Sequence, residues 1–168
     1  MINRGELKTE QQNSISENID LMSIKDILLT INEEDNKITS AIKKALPQIE
    51  EVIKYTSNSI KKGGRVFYIG AGTSGRLGVL DASEIQPTFS LKPNVFIGLI
   101  AGGDKALKSS VEGAEDDKTS IVNELKSYKI CNKDTLIGIS CSGAAKYVVS
   151  RLSYARKSGA KTAYLVTN

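Results

Sequence analysis

Two short stretches rich in glycine and hydroxyl groups carry most of the chemistry this sequence can do. The first is Gly70-Ala71-Gly72-Thr73-Ser74-Gly75-Arg76 and the second is Ser140-Cys141-Ser142-Gly143. Each follows an apolar run and opens a helical pattern. Free backbone N–H groups and the positive end of a helix dipole therefore meet at one spot, which favours an anion. The hydroxyls of Thr73, Ser74, Ser140 and Ser142 add side-chain donors that suit a small dianion such as a terminal phosphate. Two such loops enclose one phosphosugar. The structural alternative is that the same residues only make tight βα turns and helix N-caps.

Other chemistries are excluded by what the loops lack. Gly70, Gly72 and Gly75 have the G-x-G-x-x-G spacing of a dinucleotide fingerprint, but that fingerprint expects an acidic residue after the next strand. Here the next strand runs into Ile100-Ala101-Gly102-Gly103. There is no G-K-[ST] of a nucleotide P-loop, and Gly72-Thr73-Ser74-Gly75-Arg76 lacks the last glycine of a nucleophile elbow. The chain has no histidine, so a Ser-His-Asp triad, a Cys-His pair and a histidine zinc site are all out. Proton transfer falls to carboxylates, Lys, Tyr, Cys or the substrate.

These loops need a scaffold, and the apolar pattern supplies one. Four short apolar runs, at 66–69, 95–100, 135–139 and 162–166, read as strands buried on both faces, with helical patterns at 77–86, 105–112, 117–128 and 144–157 between and around them. This alternation predicts a doubly wound parallel α/β sheet with helices on both sides and with residues 70–76 and 140–143 at the same edge. Upstream, residues 1–22 show no apolar period and read as an extended arm. Ser23 reads as an N-cap with Asp26 three residues on, and Ile24, Ile27, Leu28 and Ile31 give a first amphipathic helix. Residues 32–35 are expected to break it. A second helix through Ile38, Ile42, Leu46, Ile49 and Ile53, bent at Pro47, ends at Gly63-Gly64. The expected division is 1–62 as arm and helices and 63–168 as the α/β layer.

Composition narrows the partners. The 168 residues suffice for one core, and a net charge of +4 is spread along the chain among the acids, with no basic stripe interleaved with rings. A nucleic-acid partner is therefore not expected. No stretch reaches membrane-span length and the N-terminus has no signal-like apolar run, which predicts a cytoplasmic protein with no membrane partner. Cys131 and Cys141 lack C-x-x-C spacing and read as reduced thiols.

Taken together, Ile69-Gly70-Ala71-Gly72-Thr73-Ser74-Gly75-Arg76-Leu77-Gly78, Asp81-Ala82-Ser83-Glu84, Gly98-Leu99-Ile100-Ala101-Gly102-Gly103 and Val111-Glu112-Gly113-Ala114-Glu115-Asp116 resemble the N-acetylmuramic acid 6-phosphate etherase family. The lead-in Thr9-Glu10 and Asn13 share in the resemblance. It implies a sugar isomerase (SIS) fold in α-β-α layers. It also implies cleavage of the lactyl ether of N-acetylmuramic acid 6-phosphate to N-acetylglucosamine 6-phosphate and D-lactate in cell-wall recycling, by a homodimer without metal or nucleotide cofactor. Catalytic roles carry over to Glu84 and Glu115, and phosphosugar binding to Gly72, Thr73, Ser74, Gly75, Arg76, Ser140, Ser142 and Gly143. Read by position, Glu84 lies near the end of a short helix stopped by Pro87, where the dipole favours a protonated carboxyl and hence a general acid or a residue holding a shared proton. Glu115 sits in an acidic turn, Glu112 to Asp117, ahead of the next helix, where an acidic first turn is the structural alternative. Two departures stand out. Ala144-Ala145-Lys146 replaces the family's usual Arg-Thr-Pro, and family members continue well beyond Asn168. The 168 residues alone are accordingly expected to be weakly stable and weakly active.

Overall fold

The computed structural model describes Gly5, residues 7–116 and residues 121–167. Asp117 and the start of the expected helix at 117–128 lie outside the described residues. After three short 3₁₀ turns in the arm comes α1, Ile24–Lys61, and then a layer of alternating strands and helices. Its elements are β1 Val66–Gly70, α2 Gly72–Phe89, β2 Phe96–Ile100, α3 Lys105–Lys108, α4 Ile121–Ser127, β3 Thr135–Ile139, α5 Lys146–Lys157 and β4 Lys161–Leu165. The described strands form one parallel sheet in the order β2-β1-β3-β4. Each expected strand is found within about one residue of its apolar run, as P-free, β-branched runs buried between helices should be. The doubly wound reading holds.

Three expectations about elements need correction. First, the N-terminal helices are one: α1 runs unbroken for 38 residues through 32–35 and through Pro47. The polar residues 32–35 make a full turn of that helix, with Asn32, Glu33 and Asp35 exposed and Glu34 half-buried. Glu34 accepts from Asn13 Nδ2 at 2.9 Å and pairs with Lys37 three residues on, a spacing that a helix brings together. Ser23 does cap it, accepting from the Asp26 amide. Second, Pro87 does not stop α2, which continues to Phe89 and ends at Ser90 in the left-handed region, φ 54°. Glu84 is thus interior to the helix, and a dipole effect confined to the last turn no longer bears on it. Third, β4 is not buried on both faces: its residues are exposed or half-buried, with Leu165 59% exposed.

The two faces of the sheet are covered unequally. Tyr68, Gly98, Ile137 and Ala163 are register neighbours and so share a face. Gly78 and Val79 of α2 close on Tyr68 and Gly98, while Ile49, Val52 and Ile53 of α1 line a groove with Ile137 and Ala163. Both α1 and α2 therefore lie on this side. Gly138 faces the other way and receives Val148 and Leu152 of α5. There Phe67, Ile69, Leu125, Leu136, Val148 and Ala155 are fully buried. At the N-terminal ends of β1 and β3 a polar staple closes this side. Asp134, 1% exposed, accepts from the Arg65 amide at 2.8 Å, from Arg65 Nη2 at 2.9 Å and from the Cys131 amide at 3.0 Å. Burial by itself would raise the Asp134 pKa, but these donors prevail and hold it below the ordinary carboxylate value.

Candidate functional site

The site begins where β1 hands over to α2. A Cβ on Gly70 would lie 2.5 Å from the Gly75 nitrogen, and one on Gly75 would lie 2.7 Å from the Gly70 oxygen. Only this glycine pair lets the first turn of α2 sit directly on the strand end. Gly72 has φ 56°, the left-handed region that glycine enters without strain. The residue preceding the helix is Ala71, which provides no side-chain cap. The first amides of an 18-residue helix are left for an outside acceptor.

The second loop repeats the arrangement after β3. The helix α5 starts behind Ala145, again without a side-chain cap. Ser140 Oγ accepts from the Gly143 amide and Ser142 Oγ from the Ala144 amide, both at 3.2 Å. Ser140 also bonds Tyr164 of β4; burial raises the Tyr164 pKa and the Ser140 hydroxyl partly offsets that rise. Gly143 turns the loop at φ 71°. The two loops meet where Ser74 Oγ lies 3.9 Å from Cys141 Sγ.

The cleft between them has a volume of about 350 Å³ and includes Thr73, Ser74, Ser140, Ser142 and Glu115 in its lining. It lies at the carboxyl ends of β1 and β3, neighbours from which the chain departs in opposite directions, the position where ligands enter open parallel sheets. Glu115 comes from the 3₁₀ turn Ala114–Asp116. That turn is tied to α5 by Lys146 Nζ, 2.9 Å from Asp116 Oδ1, so the residue that departs from the family pattern here helps to place the Glu115 turn. The pair is half exposed and contributes little stability.

The other expected residues are placed differently. Arg76 turns away from this cleft: its Nε donates to the Leu107 carbonyl at 3.2 Å and its Nη2 to the Ser109 carbonyl at 3.3 Å. It lines a neighbouring cleft of about 480 Å³ that shares Ala71 and Glu115 with the first. Gly72 also lines that neighbour, and Gly75 is buried beneath the loop. Glu84 is exposed on α2 and lines neither cleft. Conversely, Thr9 and Glu10 of the arm reach the first cleft. They carry no motif chemistry; only their place in the family resemblance marked them, without a role. Among the described lining residues of this cleft there is no Lys or Arg, so the positive potential it can offer is that of amides and helix ends.

A parallel α/β layer with two serine-bearing loops converging at its switch point defines a SIS domain. The chain belongs to that family: the family model for the glucokinase regulatory protein N-terminal SIS domain matches residues 47–156. More particularly, the chain is 50% identical over 162 residues to an N-acetylmuramic acid 6-phosphate etherase of Bacteroides thetaiotaomicron, covering 96% of this chain and 58% of that relative. It is 48% identical over 164 residues to N-acetylmuramic acid 6-phosphate etherase 1 of Bacillus licheniformis, covering 98% of this chain and 54% of that relative. The resemblance read from the loops thus extends along nearly the whole chain, and the chain spans a little over half the length of these relatives. A phosphoheptose isomerase from Neisseria gonorrhoeae shares the fold with a TM-score of 0.65 at 15% identity, over 84% of this chain and 73% of that one.

Proposed function

We propose that this chain carries the phosphosugar site of a lyase that cleaves the lactyl ether of N-acetylmuramic acid 6-phosphate. The carrying observation is that Glu115 shares a cleft with the hydroxyls of Thr73, Ser74 and Ser142 at two uncapped helix ends. The phosphate is held by the amides and hydroxyls of both loops, and Glu115 is left beside the sugar carbons. In the open-chain sugar the C2 proton is acidified by the C1 carbonyl. Glu115 takes that proton, the C3–O bond breaks, and Glu84 donates a proton to the departing oxygen, releasing D-lactate and a 2,3-unsaturated aldehyde. Water then adds at C3 and a proton returns to C2, giving N-acetylglucosamine 6-phosphate. Residues 1–62 serve as arm and helical cover, and 63–168 as the binding layer. The reaction belongs to cytoplasmic recycling of cell-wall sugar by a homodimer.

The test is incubation with N-acetylmuramic acid 6-phosphate and enzymatic detection of lactate. Lactate release is expected in the wild type, with solvent deuterium at C2 of the product. A Glu115→Gln variant should lose at least about a hundredfold in turnover. A second reading, a sugar-phosphate sensor without catalysis, is favoured by one observation: Glu84 stands outside the cleft of its own chain. It calls for phosphosugar binding with no lactate.

A further inference from the structure

Lyase chemistry on a phosphosugar needs two loops held at a fixed separation. The phosphate at C6 and the proton at C2 belong to one short molecule, so the amides that hold the first and the carboxylate that takes the second must keep their spacing. Glu115 is the harder of the two to place. It comes near the end of a segment, residues 102–116, whose regular structure is one four-residue helix and one 3₁₀ turn. Of these residues, all described, only Ala106 is buried. The amides of Ser109, Ala114 and Asp116 donate to carbonyls of the same segment. Burial and main-chain pairing therefore do little to fix it to the sheet.

Arg76 supplies a hold from outside. It follows directly on the Gly72 to Gly75 turn, and its Nε and Nη2 take the carbonyls of Leu107 and Ser109 at 3.2 and 3.3 Å. Both carbonyls lie at the end of α3, where a helix leaves its last C=O groups unpaired. A planar guanidinium is shaped to take two acceptors at once. Just beyond, the chain folds back on the end of β2: a Cβ on Gly102 would lie 3.1 Å from that of Val111 and 3.2 Å from that of Ala106. Pinning Leu107 and Ser109 thus fixes where the turn carrying Glu115 begins, and Lys146 holds its far end through Asp116.

Resting on the etherase reading above, we infer that Arg76 is a positioning residue for Glu115: it ties the head of α2 to residues 107–116 and so sets the spacing between the phosphate amides and the base. One turn of helix serves both ends of the sugar, with its amides toward the phosphate and its arginine on the loop of the carboxylate. Two simpler tasks are distinguishable from this one. A phosphate ligand would have to leave the two carbonyls for the cleft of Thr73 and Ser74, which Arg76 does not line. A helix cap without further consequence would leave turnover unchanged.

Arg76→Ala and Arg76→Lys in the full chain provide the test. Turnover of N-acetylmuramic acid 6-phosphate should fall about a hundredfold in the first, the cost of a base misplaced by about 1 Å. It should fall less in the second, whose ammonium lacks the fork and holds the carbonyls less well. Exchange of the C2 proton with solvent should fall along with lactate release, because both pass through Glu115. Affinity for inorganic phosphate and for N-acetylglucosamine 6-phosphate should stay within about twofold of wild type by calorimetry. Hydrogen exchange read by mass spectrometry should run at least about tenfold faster in peptides covering 107–116, with those covering 72–80 and 146–157 unchanged. A loss of phosphate affinity of about tenfold or more would make Arg76 a ligand and overturn the inference. So would undiminished turnover in both variants beside an active wild type, or unchanged exchange at 107–116. Should Arg76→Ala fail to fold, Arg76→Lys gives the same readings at smaller size. A wild type that releases no lactate sinks the etherase reading instead, and the exchange measurement still decides whether Arg76 holds the segment.

Discussion

The two faces of the sheet do different work. On the α4 and α5 side, Phe67, Ile69, Leu125, Leu136 and Val148 are fully buried and the Asp134–Arg65 staple closes one end. On the α1 and α2 side, Tyr68, Phe96, Ile137 and Ala163 are only half-buried, and the covering helices turn further apolar stripes outward. Fully burying a large apolar side chain stabilises by roughly 1.5–3 kcal/mol, so the first face is where the fold gains its stability. The second buries Val66, Thr135 and Ile100 against its helices but leaves apolar stripes of those helices exposed, area of the kind that marks an interaction site. The cleft between the two serine-bearing loops sits at the seam, with one loop feeding a helix on each side.

Substitutions can break this contrast. The largest effect is expected at Phe67: Phe67→Ala should cost about 3–5 kcal/mol in chemical denaturation, as a cavity in a core that cannot collapse. Next, Asp134→Asn should cost about 2–3 kcal/mol, because it leaves Arg65 without its carboxylate and removes a charged acceptor from two amides. Asp134 has a folded-state pKa below its unfolded value. Its contribution is therefore complete above the unfolded carboxylate pKa and fades as pH falls toward the folded one. A urea series from neutral to strongly acidic pH should show wild type losing that increment and the variant lacking it throughout. At the seam, Ser74→Ala should weaken phosphosugar binding about tenfold by calorimetry, or about 1.4 kcal/mol, with unfolding changed much less. On the open face, Leu77→Ser with Leu80→Ser should shift unfolding by under about 0.5 kcal/mol when measured at dilutions where chains are single. A large loss there would mean that α2 holds its own fold together and that the contrast between faces is wrong.

The sheet was readable in the sequence because parallel strands between two helical layers are continuous apolar runs, and those at 66–69 and 135–139 have no other good use. The run at 162–166 shows the limit of that logic. Val, Leu and Tyr declare a capacity for burial, and whether anything covers them depends on what is packed alongside. The turn across 32–35 hides its helix for the opposite reason: a cluster of Asn, Glu and Asp resembles a loop, whereas here it is one solvated turn of a long helix with Glu34 bonded to Asn13 and Lys37. Pro87 misled in the same way, since a proline near the last turn of an exposed helix forfeits only one bond.

The site was legible in part. Loop chemistry pointed to residues 70–76 and 140–143, and both loops line or frame the switch-point cleft. Spacing could not show that Arg76 would turn toward the carbonyls of Leu107 and Ser109, because that depends on where α3 lands. Nor could it show that Thr9 and Glu10 would fold back over the cleft, which follows from the tether between Asn13 and Glu34. The position of Glu84 was the hardest to read: its distance from the loop needs the unbroken length of α2.

The contact between Gly70 and Gly75 gives the loop at the head of α2 an unusual kind of permanence. The shape of the first loop is drawn by main chain pressed on main chain, so its amides are set in place without any side chain choosing a rotamer. If the proposed phosphosugar binds there, the backbone part of the ordering cost is largely absent, and association is expected to be a single concentration-dependent step. A methyl group at either glycine would separate the helix from the strand end and turn a rigid receptor into one that has to be assembled by its ligand.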